Sequence, residues 1–223
     1  MDNIDDAKKL LEETEKTVSS YAKVGDGSNS LVISFGHIAH GGFASKTSLL
    51  NLKYIENKDI DMLYMRDVEK RWYLSSLVGI GKCFQDTITF LNSHVKKYKN
   101  IICIGSSQGG YASILFGNIL NSKYIIANMP QTNLEFVIQN VDVPSLEYVK
   151  LNHPTDWEKY QNLSNVISGN VRCILSYPDG DDVKSGKGLA LHGEPHYDCI
   201  KHHKNINRKD NFDFNKEVAN LVI

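Results

Sequence analysis

The feature that most constrains the fold is the stretch IICIGSSQGG at residues 101–110, where four apolar residues run into two serines among three glycines. A short apolar run that ends at a glycine predicts a buried strand followed by a tight turn. Beyond the turn, apolar side chains recur at helical spacing: Tyr111, Ile114, Leu115 and Ile119. The sequence therefore predicts a strand, a sharp turn and a helix in direct succession.

The rest of the chain repeats this alternation of strand and helix. Buried strands are predicted at residues 31–35, 61–65, 124–127 and 171–176, with an edge strand at 18–24 and a last strand at 196–201. Helices are predicted at residues 4–16, 80–95 and 214–223, the last with Asp213 as its N-cap. The polar segment 131–169 is expected to form helices and loops that cap one end of the sheet. This order predicts an α/β fold, a three-layer α/β/α sandwich with a mostly parallel central sheet.

Composition narrows the function classes. The 223 residues suit one domain, 1–223, and a formal net charge of −1 offers no basic surface for nucleic acid or for an anionic membrane. The four cysteines are far apart in sequence, which favours reduced thiols. The charged N-terminus lacks the apolar core of a signal peptide, and no apolar run is long enough to span a bilayer. We therefore expect a cytoplasmic protein with no membrane span and no nucleic-acid partner.

Gly105, Ser107 and Gly109 match the pattern G-x-S-x-G, with a strand predicted before it and a helix after it. In a nucleophile elbow the serine occupies a strained turn, and its neighbours must lack side chains that would collide with the strand or the helix. The amide of Gln108 then lies at a helix N-terminus, where it can donate to an oxyanion. The alternative is a phosphate-binding turn, but neither G-x-x-x-x-G-K-[ST] nor a fitting G-x-G-x-x-G is present. The pattern favours Ser107 as a nucleophile.

A serine nucleophile requires a carboxylate and a histidine further along the chain, in that order. Three aspartates follow the strand that ends near residue 177: Asp179, Asp181 and Asp182. We expect Asp182, and otherwise Asp181, to serve as the triad carboxylate, although such a cluster is also typical of a solvated turn.

Four histidines crowd the C-terminal part: His192, His196, His202 and His203. The catalytic histidine should follow the last strand, which favours His203 and then His202. His196 is the choice if residues 197–203 are helical instead.

The second oxyanion donor should come from the loop after the strand at 31–35, where the amide of Gly36 or His37 is the expected group. His37 and His40 are also candidates to line the substrate entrance.

A metal site is a competing hypothesis, because His192 and His196 are four residues apart and Asp181 or Asp182 lies nearby. Gly193 and Pro195 interrupt the helix that would bring both imidazoles to one ion. We therefore expect no metal and no cofactor.

These motifs carry a resemblance to a known family. The run GSSQGGY at residues 105–111, Phe116-Gly117 and Met129-Pro130-Gln131 resemble the α/β-hydrolase superfamily. More narrowly, they resemble small α/β-hydrolase-type proteins of bacterial polysaccharide biosynthesis, among them capsule O-acetyltransferases, as do Arg66-Asp67 and Trp72-Tyr73. The resemblance implies Ser107 as nucleophile with Gln108 and Gly36 around the oxyanion. The chain departs from the family in its short C-terminal segment, which has no Gly-Gly-His before the closing helix.

The leading hypothesis is a serine esterase or deacylase that acts on a small-molecule or saccharide acyl ester, with Ser107, His203 and Asp182 as its triad. An O-acyltransferase that moves an acetyl group to a saccharide hydroxyl would use the same residues. The third hypothesis is a non-catalytic binding protein on a degenerate hydrolase fold.

Overall fold

The computed structural model describes residues 3–16, 21–38, 46–177, 186–210 and 212–221. They form a seven-stranded sheet in the order β1-β3-β2-β4-β5-β6-β7, in which only β1 runs antiparallel to its neighbour. The strands are β1 (Tyr21–Val24), β2 (Ser30–Phe35), β3 (Asp61–Met65), β4 (Asn100–Ser106), β5 (Tyr124–Asn128), β6 (Arg172–Ser176) and β7 (Ile206–Arg208).

Ten helices accompany the sheet in the described part of the chain. They are α1 (Ile4–Lys16), α2 (Lys46–Tyr54), α3 (Phe84–Val95), α4 (Gln108–Ile119), α5 (Leu134–Asn140), α6 (Pro144–Asn152), α7 (Pro154–Tyr160), α8 (Gly186–His192), α9 (Glu194–Ile200) and α10 (Phe214–Leu221). A 3₁₀ turn follows α7 at Leu163–Asn165. The segment 131–169 thus consists of helices and short connections. None of the described helices is long and apolar enough to cross a membrane.

The sheet has an apolar layer on each face because successive side chains of a strand point to opposite sides. In β4, Ile101 and Cys103 join one buried cluster, while Ile102 and Ile104 join the other. The first cluster includes residues of α3 to α7 and α9, and the second includes residues of α1, α2 and α10. The predicted three-layer α/β/α sandwich with a mostly parallel sheet is therefore confirmed.

Two predicted elements differ from the structure. The helix predicted at 80–95 begins only at Phe84, because the Asp86 carboxylate accepts hydrogen bonds from the amides of Lys82 (2.7 Å) and Cys83 (3.2 Å) and fixes the start there. The strand predicted at 196–201 is wrong. These residues belong to helix α9 and its C-cap, since the proline in its first turn is preorganised for a helix start.

The closing helix agrees with the prediction. Asp213 Oδ1 accepts a hydrogen bond from the amide of Lys216 at 3.0 Å, which makes Asp213 the N-cap of α10.

Candidate active site

Ser107 lies between the end of β4 and the first residue of α4, with φ of 54° and ψ of −123°. Few residues other than glycine adopt a positive φ, and such strain persists where the surrounding structure enforces it. The Ser107 amide donates to the carbonyl of Asn128 at 2.8 Å, which ties the turn to the end of β5. The backbone of Ser107 therefore has the sharp strand-to-helix geometry of a nucleophile elbow.

The glycines around Ser107 allow two close backbone approaches. A Cβ atom at Gly105 would lie 2.0 Å from the carbonyl oxygen of Gly109, and a Cβ atom at Gly109 would lie 2.1 Å from the carbonyl oxygen of Phe35. Neither neighbour can move aside without displacing backbone, so the first turn of α4 packs against β4 and β2 only with glycine at both positions.

The Ser107 hydroxyl is held by Gln131, which follows β5 and is almost fully buried. Gln131 Nε2 lies 3.0 Å from Ser107 Oγ, 2.8 Å from the carbonyl oxygen of Leu191 and 3.3 Å from Nδ1 of His192. On its other side, Gln131 Oε1 lies 3.4 Å from the indole nitrogen of Trp72. One amide group thus brings the nucleophile and an imidazole together.

His192 is the last residue of α8 and is half-buried. Its Nδ1 lies 3.4 Å from the carbonyl oxygen of Met129 as well as close to Gln131. Desolvation by burial lowers the pKa of His192, opposed by the hydrogen bond to Met129. A neutral imidazole has the protonation state that a general base needs. From the sequence, His192 is a candidate only for a metal ligand.

The basis for choosing His203 and His202 as the base is wrong. Both precede β7, whereas the prediction required a histidine after the last strand. Strands β4 to β7 run parallel, so their carboxyl ends lie on one side of the sheet. Ser107 follows the carboxyl end of β4, whereas His202 and His203 precede the amino end of β7 and therefore lie on the opposite side. The two imidazole rings pack against each other, tilted by 35°, with centroids 4.1 Å apart.

His196 is a buried structural residue. Its Nδ1 accepts a hydrogen bond from the Thr132 amide at 3.2 Å, and its Nε2 lies 2.6 Å from the carbonyl oxygen of Ala190, to which it donates. Desolvation lowers the pKa of His196 to about 4. With both ring nitrogens used, His196 fixes α8 and α9 against the segment after β5 and has no nitrogen left for Ser107.

Three aspartates and one histidine of the sequence analysis, Asp179, Asp181, Asp182 and His40, lie outside the described residues. The aspartates belong to the connection that leads from β6 to α8, the helix that carries His192. Among the described residues, no three His, Cys, Asp or Glu side chains are grouped so as to hold a metal ion.

The predicted oxyanion donors differ in their surroundings. Gln108 is the first residue of α4, and the first amides of a helix have no acceptor within the helix. The Gly36 amide, by contrast, donates to the carbonyl of Met65 at 2.9 Å. Gly36 therefore does not suit the role that the resemblance implies. The alternative donor, the amide of His37, is one residue further along the same loop.

Three residues near the nucleophile are indicated in the sequence only by the family resemblance: Asp67, Trp72 and Tyr73. Asp67 Oδ2 accepts hydrogen bonds from Gln108 Nε2 at 2.8 Å and from the Tyr73 amide at 3.0 Å. Trp72 and Tyr73 have positive φ angles of 52° and 60°. Such angles in aromatic residues leave no signal in a single sequence, so periodicity could not have revealed this turn.

Comparison with known proteins relates the fold to that of acyl-transferring enzymes. No protein-family model and no curated protein sequence matches the chain. Among solved structures, the capsule O-acetyltransferase of Neisseria meningitidis serogroup A, as a histidine-to-alanine variant in complex with CoA, matches with a TM-score of 0.62 and 16% identity over 91% of each chain. The Glycosylation Associate Protein (Gap123) complex from Streptococcus agalactiae matches with a TM-score of 0.60 and 18% identity over 91% of this chain and 42% of that one.

An α/β hydrolase enzyme from the metagenome of lagoon sediments of Mar Chica, Morocco, also matches, with a TM-score of 0.53 and 16% identity over 90% of this chain and 91% of the other. The chain thus has the esterase-like α/β-hydrolase fold. Its structural neighbours include esterases, hydrolases and an O-acetyltransferase.

Proposed function

We propose that this protein is a serine enzyme that hydrolyses an ester or acyl group of a small molecule or saccharide through a covalent acyl-enzyme. One observation carries the proposal. Ser107 has the backbone conformation of a nucleophile elbow, and its hydroxyl accepts a hydrogen bond from Gln131 Nε2, which lies 3.3 Å from Nδ1 of His192.

In the proposed reaction, Ser107 Oγ attacks the acyl carbonyl carbon while His192 takes the hydroxyl proton. The carbonyl oxygen becomes an oxyanion, which accepts hydrogen bonds from the amides of Gln108 and His37. The imidazolium then gives its proton to the leaving oxygen, which departs and leaves the acyl-enzyme. Water then attacks the acyl carbon while His192 takes its proton, and the imidazolium returns that proton to Ser107 Oγ as the acyl–oxygen bond breaks and the acid is released.

His192 replaces His203 in this proposal because His192, like Ser107, lies at the carboxyl ends of the parallel strands. His196 is not chosen, because as the base it would have to give up both of its buried hydrogen bonds. We retain Asp182, and otherwise Asp181, as the carboxylate that orients the imidazole. In sequence, the segment that contains them lies between β6 and α8, the helix that ends at His192.

Transfer of the acyl group to a saccharide hydroxyl is the second candidate function. It is favoured by the similarity to the meningococcal capsule O-acetyltransferase, which extends over 91% of each chain and includes a complex with CoA. The acyl-enzyme and the residues that form it are the same in both reactions, and only the acceptor of the second step differs.

The decisive experiment is labelling with a fluorophosphonate probe, with Ser106→Ala as the matched control. Ser106 is the adjacent serine, and its hydroxyl accepts a hydrogen bond from Asn128 at 3.2 Å. We expect the wild type and Ser106→Ala to be labelled and Ser107→Ala to be unlabelled. A wild type that is folded but resists labelling would support the non-catalytic alternative and refute the proposal.

Hydrolysis and transfer are separated by following the acyl group. With p-nitrophenyl acetate or acetyl-CoA as donor, an esterase releases acetate at a rate that saccharide alcohols leave unchanged. A transferase forms the acetylated saccharide and speeds up donor consumption. Activity that survives labelling of Ser107 but disappears with a chelator would instead support the metal-assisted alternative.

A further inference from the structure

We propose that Asp67 is a positioning residue that holds both sides of the oxyanion hole and the nucleophile in register. This inference rests on the function proposed above, since it assigns a role toward the oxyanion donors. Asp67 lies two residues beyond β3 and is only 6% exposed. A carboxyl group so far from solvent is costly to retain unless it organises its surroundings.

The first connection runs directly to the elbow. Gln108 is 1% exposed and donates from Nε2 to Asp67 Oδ2 at 2.8 Å. Since Gln108 is the first residue of α4 and follows Ser107, fixing its side chain restrains the peptide whose amide faces the oxyanion. The carboxyl group of Asp67 thus reaches one oxyanion donor through a single side chain.

The second connection runs to the loop after β2. The Tyr73 amide donates to Asp67 Oδ2 at 3.0 Å, although Tyr73 has a φ of 60°. An aromatic residue in this conformation is strained by about 1–3 kcal/mol, so the turn needs such a contact to persist. The Tyr73 hydroxyl lies 3.0 Å from the carbonyl oxygen of Gly36 and 3.2 Å from that of Met65, which share its one proton. Gly36 directly precedes His37, the proposed second donor.

The third connection reaches the nucleophile. Trp72 precedes Tyr73 in the same strained turn, and its indole nitrogen lies 3.4 Å from Gln131 Oε1. Gln131 in turn donates to Ser107 Oγ at 3.0 Å. The turn that Asp67 stabilises therefore also orients the amide that holds the nucleophilic hydroxyl.

The charge state of Asp67 suits this role. Burial raises the pKa of Asp67 to about 6, the nearby Glu69 carboxylate adds to the effect, and the amides of Tyr73, Arg71 and Glu69 oppose it. At neutral pH the carboxylate form predominates, and its hydrogen bonds are charge-assisted and stronger than neutral ones.

The test compares Asp67→Ala and Asp67→Asn with the wild type in ester hydrolysis. We expect Asp67→Ala to lower kcat by about 10-fold to 100-fold at unchanged KM, because misplacing oxyanion donors weakens the transition state and not substrate binding. The affinity for phenylboronic acid, whose adduct with Ser107 is tetrahedral, should fall by a similar factor. Asp67→Asn should recover most of the loss, because its amide oxygen can accept the same two hydrogen bonds.

Asp86→Ala is the matched control, since Asp86 also accepts hydrogen bonds from two backbone amides but lies at the start of α3. Its kcat should be unchanged. An Asp67→Ala protein that is folded, is labelled by the fluorophosphonate and keeps the wild-type kcat would overturn the inference while leaving the proposed function intact. Absence of labelling in the wild type would overturn the function itself.

A second variant covers the case in which Asp67→Ala does not fold. Gln108→Met keeps the Asp67 carboxyl group and its contact with Tyr73 but removes the connection to the elbow. We expect a several-fold fall in kcat at unchanged KM. An unchanged kcat in a folded Gln108→Met protein contradicts the proposed coupling.

Discussion

The nucleophile region and the histidine region of this protein are built by different means. The nucleophile region, from β4 to the start of α4, is recognisable from residues close together in sequence, such as Gly105 and Gly109, whose backbones approach each other closely. The histidine region, α8 and α9, is fixed by partners far along the chain. Gln131 and His192 are 61 residues apart, and Thr132 and His196 are 64 residues apart. Local rules therefore identify the serine, whereas the base depends on tertiary contacts.

The same contrast appears on a smaller scale between two histidines. His192 and His196 are four residues apart, yet Gly193 separates the helices that carry them. His196 is fully buried with both ring nitrogens hydrogen-bonded, whereas His192 is half-buried and lies beside the amide that holds Ser107. Their different surroundings predict a catalytic effect for one residue and a stability effect for the other.

The largest expected effect concerns the base. His192→Ala should lower kcat/KM for p-nitrophenyl acetate by about 100-fold to 10,000-fold, the usual contribution of a general base. His203 lies at the opposite ends of the strands, away from the reacting atoms, so His203→Ala should change kcat/KM by less than about twofold. Steady-state kinetics on both variants, normalised to folded protein, measures the ratio.

The reverse ranking, with His203→Ala inactive and His192→Ala active, would show that the C-terminal part of the chain approaches the elbow differently from the arrangement described. Equal and small effects would mean that neither histidine is the base.

The next effect concerns stability at His196. Its pKa is about 4 in the folded protein, below the ordinary value of 6.5, so between these pH values the unfolded chain binds a proton that the folded chain does not. The stability that neutral His196 contributes is therefore lost as the pH falls from 6.5 toward 4. At pH 5 the loss should be about 2 kcal/mol.

His196→Gln tests this effect, because glutamine can donate and accept but does not titrate. Urea unfolding of both proteins at pH 7.5 and pH 5.0 gives the double difference, in which other titrating groups such as Asp67 cancel. The fall in unfolding free energy should be smaller in the variant by about 2 kcal/mol. Equal falls in the two proteins would mean that His196 is not held neutral.

The sequence predicts the sheet and the elbow well because both depend on short-range patterns. Apolar runs mark the buried strands, and two of these runs end at a glycine, Gly36 or Gly105. The two glycines around Ser107 are required by backbone contacts that would exclude any side chain. Asp213 is likewise recognisable as an N-cap, because its carboxylate accepts a hydrogen bond from the amide of Lys216, only three residues further along the chain.

The proposed base, His192, could not be predicted because β7 has only three residues, Ile206–Arg208, too few for a recognisable pattern. If residues 196–201 were the last strand, His202 and His203 would follow its carboxyl end, but they precede β7 instead. The Gly36 prediction failed for a related reason. Its amide is used by Met65, a partner on a different strand that periodicity does not reveal.

The smallest expected effect concerns Gln131, which joins the two regions. Gln131→Met keeps the length of the side chain but removes the hydrogen bonds to Ser107 Oγ and the carbonyl of Leu191. Each neutral hydrogen bond contributes about 0.5–1.5 kcal/mol, so kcat should fall by about tenfold at most. Gln139→Met, on the exposed face of α5, is the matched control and should retain the wild-type kcat.

The direction of the change in kcat is informative. An amide that donates to Ser107 Oγ occupies a lone pair with which this oxygen must attack the carbonyl carbon of the substrate. A fall in kcat and in the rate of fluorophosphonate labelling would mean that Gln131 orients the hydroxyl for attack. A rise in both rates would mean that Gln131 holds Ser107 in a resting arrangement and must move before His192 can accept the proton. Either result would measure how strongly the histidine region is coupled to the nucleophile.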